Sequence, residues 1–250
     1  MVSLIPEPIF RVGFFTVTNS IIDILLVDAL IIGIAFYISK KIKMIPGLFQ
    51  NLVEYVLESF YSLTESIAGN KVKFIFPFFM TFFIFILFLN WSGLIPGVGS
   101  IGIFHETKEH GRELIPLIRG GASDLNLTLG LALVSIAATH YFSIQSLGIK
   151  QYLGRYFSFN PIYLFVGILE VISEITKVIS LSFRLFGNIF AGEVVLMTVS
   201  GIFAFIFPLP FLMLEVIVGL VQALVFAMLT MAFMSILATS HHKEVSTHGL

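Results

Sequence analysis

Apolar residues gather in a few long runs separated by short polar stretches. A helix that spans a bilayer needs roughly 20 consecutive, mostly apolar residues. Ile21 to Ser39 meets that length despite Asp23 and Asp28. Phe74 to Ile95 is uncharged, with Asn90 and Trp91 near its end, and Leu125 to Ile149 is uncharged with His140 inside it. Pro161 to Ser240 is a single apolar tract broken by Pro208 and Pro210. The break predicts two long helices of about 40 and about 30 residues; at ~1.5 Å per residue the first is ~60 Å long. A hydrocarbon core is only ~30 Å thick, so the pair is expected as a strongly tilted hairpin over 161–240.

Two segments break this pattern. In "PGLFQNLVEYVLESFYSLTESIAGN" Leu48, Leu52, Val56, Phe60 and Leu63 recur at helical spacing, with Glu54, Glu58 and Glu65 on the other side. That is an amphipathic interfacial helix over 46–69. Residues 98–121 are glycine-rich with mixed charges and read as a polar loop. The fold class expected is an all-α integral membrane protein of one domain, residues 1–250. It has about five membrane-crossing helices besides the interfacial one.

Composition supports this class. The chain is 57% apolar and 12% charged, with a mean hydropathy of +1.00, against about 25% charged in soluble domains. A formal net charge of −1 gives no electrostatic case for a nucleic-acid partner. Cysteine is absent, which excludes disulfides and thiolate metal sites. No basic region or small-residue cleavage site accompanies the first run, so it is expected to remain rather than be removed as a signal. Lys40, Lys41, Lys43, Lys71, Lys73, Lys150, Arg155 and Lys243 fall on one side if the spans alternate, and Arg11, Lys108, Arg112 and Arg119 on the other. The positive-inside rule then puts the N-terminus outside and the C-terminus in the cytoplasm.

Against that apolar background, "ISLSFRLFGN" places Arg184 where a charge costs at least about 2.5–3.5 kcal/mol. At ~100° per residue, Lys177 and Ser173 lie within ~20° of Arg184, and Glu170, Ser180 and Asn188 within ~40°. These six form one polar stripe, while Glu193 faces ~180° away. Glu215 and Gln222 share a face of the last helix. Simple pairing between helices accounts for Glu170, Glu174 and Lys177. It does not account for Arg184, which has no carboxylate one turn away on its own helix. An intramembrane cation of that kind faces a water path or an external partner. With the orientation above, Glu170 to Lys177 lie towards the cytoplasm, Glu193 and Glu215 towards the outside, and Arg184 between them. A fixed cation there blocks protons and lowers the pKa of a carboxylate carried past it.

At these residues the chain resembles subunit a of F-type ATP synthases. The resemblance is carried by "LEVISEITKVISLSFRLFGNIFAGE" (169–193), "VQALVFAMLTMAFMS" (221–235), "ASDLNLTLGLAL" (122–133) and "FFIFILFLNWSGLIPG" (82–97), with a weaker fit at "PIF…FTVTNS". It implies that Arg184 is the essential residue facing the ion-binding carboxylate of a rotating c-ring. Glu193, Glu215, Gln222, Asn188, Asp124 and Asn126 then belong to the half-channel open to the outside, and Glu170, Ser173 and Lys177 to the one open inside. It also implies the c-ring, peripheral-stalk b subunits and lipid as partners, a bacterial plasma membrane, and a non-catalytic role with no cofactor.

Several residues keep a plainer alternative. Asp124 follows Ser123 and opens a helix, so it serves as an N-cap, as a path residue, or as both. Asn188 and Gln222 position Arg184 or water, or bridge helices. His140, alone on its span, reads more readily as a packing residue than as a relay. Asp23 and Asp28 differ by ~140° and do not form one site. The histidines of "SHHKEVSTH" have weak metal-site spacing, and no phosphate-binding loop is present, so the chain itself is not expected to bind ATP. Two competing classes remain. A self-contained secondary transporter or channel would show repeats around a midplane site, and a scaffold without an ion path would tolerate changes at Arg184.

Overall fold

The computed structural model describes residues 7–13, 15–95, 97, 102–107, 111–156, 161–202 and 208–238; Lys108, Lys243 and the C-terminal histidines lie outside them. Two short strands, β1 (Pro8–Val12) and β2 (Phe15–Thr18), pair antiparallel and lead into α1 (Asn19–Lys41). The interfacial segment is α2 (Leu48–Ala68), followed by α3 (Val72–Ser92). Between them Gly69 sits at φ 53° and gives its N–H to the Glu65 carbonyl. That left-handed backbone suits glycine, and it turns the chain back. The Phe60 ring of α2 consequently meets those of Phe79 and Phe83 at 5.6 and 4.9 Å.

Residues 102–116 depart from the expected loop. β3 (Gly102–Thr107) and β4 (Gly111–Pro116) pair antiparallel, from Gly102 opposite Pro116 to Thr107 opposite Gly111. Ile103, Phe104, Leu114 and Ile115 are residue types that favour strands, and the glycines at its ends drew the sequence reading towards a loop. Next come α4 (Leu125–Leu147) and α5 (Ile149–Tyr156), a short helix absent from the sequence expectation. Gly148, at φ 81°, ends α4 and allows the change of direction. The last two helices are α6 (Pro161–Ile202) and α7 (Pro208–Leu237), of 42 and 30 residues. Pro208 and Pro210, expected at the turn, both stand in the first turn of α7, where a missing N–H costs nothing; the connection at 203–207 lies outside the described residues.

Among the described residues, α1, the α2–α3 unit, α4 and α7 are long and apolar enough to cross a membrane. α6 is longer but carries Glu170, Glu174, Lys177, Arg184 and Glu193. The molecule is an all-α integral membrane protein with two small β-hairpins at its described loops.

α3 lies at the centre. Phe79, Phe82, Phe83, Ile86 and Leu89 are buried there, and the Phe82 ring meets that of Phe226 on α7 at 5.6 Å. In lipid the packing surface gains little from leaving water, so close approach and interhelical hydrogen bonds matter more, each about 0.6 kcal/mol on average. Asn90 Nδ2 donates to the Gly219 carbonyl at 2.9 Å and Trp91 Nε1 to the Val216 carbonyl at 3.1 Å, joining α3 to α7. Ser135 and Thr230 hydroxyls meet at 2.7 Å across α4 and α7, and Thr128 and Ser182 at 3.1 Å across α4 and α6. Asp23 ties α1 to this core. Its Oδ2 accepts from Ser92 Oγ and from the Gly121 N–H, both at 2.8 Å.

Candidate functional site

The polar stripe read from the sequence is present on α6, and it lies open. Ser173, Ser180, Arg184 and Asn188 are exposed in the chain, while Glu170 and Lys177 are half-buried. Arg184 Nη2 donates to Ser180 Oγ at 3.2 Å, one turn back. Among the described residues no carboxylate lies within ion-pair distance of the guanidinium. The guanidinium head therefore lies along α6 against a hydroxyl, and the residue stays exposed in the single chain.

One turn further along, α7 contributes its share. Asn188 Nδ2 donates to Gln222 Oε1 at 2.8 Å, so this amide pair does bridge helices. Gln222 is buried at 4% exposure, and its own amide donor, Nε2, has no hydrogen-bond partner. That leaves a donor free for water or for a passing group. Seven residues earlier on α7, the Glu215 carboxylate is packed over Gly192 of α6; a Cβ at residue 192 would run into it. Glu215 is itself buried. Gly192 is the position whose bare Cα makes the close approach possible.

Glu193 faces the other way, as its helical angle requires. Its Oε1 lies 3.6 Å from Nε of Arg119, whose side chain is buried and also donates to Ser123 Oγ at 3.1 Å. The segment before α4 is thus clamped onto α6. Asp124 is the N-cap of α4, accepting from the Asn126 N–H at 2.9 Å, and is buried. Asn126 is exposed. Glu193 on α6 and Glu215 on α7 keep different company: a cation beside the first, a glycine beneath the second.

The other end of the stripe is a network. Glu170 pairs with Arg155 of α5, and Lys177 Nζ donates to Glu174 Oε1 at 2.8 Å. Glu174 Oε2 is 3.7 Å from His140 Nε2 on α4, and the Tyr152 hydroxyl of α5 is 3.0 Å from His140 Nδ1. Burial first, then Tyr152 and the two carboxylates, push Tyr156 above the usual phenol range, so it stays a neutral hydroxyl. Gly167 accommodates α5, because a Cβ there would strike the Tyr156 carbonyl.

The sequence brought out the stripe and the carboxylates. It missed Arg119, Arg155 and Tyr152 as members of the site. The first two had counted only as orientation charges. A signal for α5 existed: Tyr152 and Arg155 are three apart, hence on one helical face.

These features define a polytopic membrane protein whose longest helix presents charge to a partner or to water. Residues 21–235 match the sequence model of the family described as ATP synthase A chain. The chain is 31% identical over 236 residues to the ATP synthase subunit a of Moorella thermoacetica, covering 94% of this chain and 98% of that protein. The chain belongs to the ATP synthase A chain family, whose members serve ion transport and ATP synthesis as a membrane-sector subunit.

Proposed function

We propose that this chain is the proton-conducting stator subunit of a bacterial F-type ATP synthase, with two half-channels that meet a c-ring on either side of Arg184. The observation that carries the reading is the state of Arg184: a permanent cation, exposed on an open stripe, with Ser180 for support and no carboxylate at ion-pair distance among the described residues. The missing counter-charge is a rotor carboxylate. Such a carboxyl group loses its proton beside the guanidinium, because the nearby positive charge favours the anion. It regains one on the far side, and the fixed cation prevents a direct leak between the two sides.

The outer half-channel comprises Glu193, Glu215, Gln222, Asn188, Asp124 and Asn126. Buried Glu215 and the free Gln222 donor offer a route to the rotor. The inner one comprises Glu170, Ser173 and Lys177. A gradient supplies about 2.3 kcal/mol per charge per 100 mV, which rotation passes to a catalytic head elsewhere. Peripheral-stalk b subunits hold the chain still. The N-terminus is outside the plasma membrane and the C-terminus in the cytoplasm. A self-contained transporter would enclose both paths in one chain, and the open face of α6 argues against it.

The test is ATP-driven acidification of inverted membrane vesicles that carry the assembled complex. Arg184→Ala is expected to abolish pumping while c-ring association persists. Pumping at the wild-type rate would refute the reading.

A further inference from the structure

His140 sits on α4, on the opposite side of the inner network from Lys177. Among the described residues it is the one imidazole in a chain of polar contacts that runs from α5 through α4 to α6. Tyr152 meets Nδ1 at 3.0 Å, its ring stands edge-on to the imidazole at 6.0 Å, and Nε2 faces Glu174 Oε2 at 3.7 Å. Both ring nitrogens therefore have a polar neighbour, and the ring is held in one orientation between two helices. The side chain keeps 25% of its surface exposed in the single chain, so it is not sealed inside the protein.

The neighbours divide the work. Glu174 is engaged by Lys177 and Glu170 by Arg155, so each carboxylate already has its own cation. Lys177 Nζ also lies 4.9 Å over the Phe233 ring of α7. Tyr156 stacks edge-on with Tyr152 at 5.3 Å and stays a neutral hydroxyl. Among these residue types, imidazole is the one that ordinarily changes charge near neutral pH. Glu174 Oε2, turned to the ring, has no hydrogen-bond partner. A second N–H on the imidazole would face it.

We propose that His140 is a proton-exchanging relay of the inner half-channel, with Tyr152 and Glu174 as its positioning residues. This rests on the function proposed above. Neutral His140 takes one proton from the inner path and becomes imidazolium, with both nitrogens protonated. Glu174 balances the new charge on one side while the Tyr152 oxygen accepts from Nδ1–H on the other. Release of one proton to cytoplasmic water restores the neutral ring. One proton enters, one leaves, and nothing is oxidised or reduced.

The experiment uses vesicles with the assembled complex. It measures ATP-driven pumping and, after removal of the catalytic head, passive proton conduction across pH. His140→Ala is expected to lose most of its conduction and to regain it when imidazole is added. His140→Gln fills the site and keeps polar contacts. It is expected to lose a pH dependence of conduction that the proposal predicts for the wild type in the range where an imidazole titrates. Equal losses in both variants, without imidazole rescue and with the pH profile retained, would mean a bracket between helices and would overturn the proposal. Unchanged conduction would overturn it too. Arg184→Ala in the same preparation separates the two claims. Pumping that survives it defeats the stator reading, whereas its loss beside unaffected His140 variants defeats the relay alone.

Discussion

One contact between α6 and α7 depends on an atom that is not there. Gly192 lets the Glu215 carboxylate rest on backbone. A larger residue at that point has to displace the carboxylate or part the helices, and overpacking of this kind costs about 1–3 kcal/mol. Gly192→Val is therefore expected to cut pumping sharply while leaving the complex assembled, since the rest of α6 and α7 is untouched. Normal pumping in that variant would show that the position of Glu215 has no bearing on conduction. At this scale the sequence was most informative where a residue's neighbours are on its own helix. Arg184, Ser180 and Asn188 fall on one face by the 3.6-residue period alone. The partners of Glu193 and Glu170 could not be read that way. Arg119 and Arg155 reach them from a loop and a short helix, and only the folded chain brings these together.

Among elements, the long hairpin was legible because a proline pair interrupts an otherwise continuous apolar tract, and its two helices have the expected lengths. α5 and the β3–β4 hairpin were not legible. Eight residues with modest propensity do not announce a helix when tertiary contacts, here with α6 and α4, decide the outcome. The arrangement of α4, α6 and α7 rests on small hydroxyl residues at matching depths, which can be tested directly because the chain has no cysteine. Thr128→Cys with Ser182→Cys, and Ser135→Cys with Thr230→Cys, are expected to form intramolecular disulfides on mild oxidation. Thr128→Cys with Thr230→Cys is not. Residues 128 and 135 are seven apart, ~10 Å along the helix, beyond the ~7 Å between Cα atoms that a disulfide tolerates. A cross-link in that last pair, or none in the first two, would refute the packing order.

For the whole molecule, the open stripe of α6 has a direct consequence for accessibility. Ser173 is exposed in the single chain, yet in the proposed assembly the rotor passes along its face. Ser173→Cys in the purified chain is expected to react quickly with a water-soluble maleimide, and slowly once the complex is assembled. Equal rates would mean that this face is never covered. The membrane class was plain from composition alone. The open face was visible only by helical periodicity, as polar residues with no partner in the sequence.

On the proposed function, a rotor turning against Arg184 would also push on it. α6 runs unbroken from Pro161 to Ile202 without an internal proline, and sharp kinks in a long helix arise mostly where a proline or an insertion interrupts its hydrogen-bond ladder. Along its length it rests on α5, α4 and α7 through Gly167, Ser182 and Gly192 in turn. A sideways force at the arginine therefore meets a braced beam rather than a free rod. In the proposed assembly little of each rotor step would then be lost to elastic recoil, and stiffness would be a functional property of the stator alongside its charge.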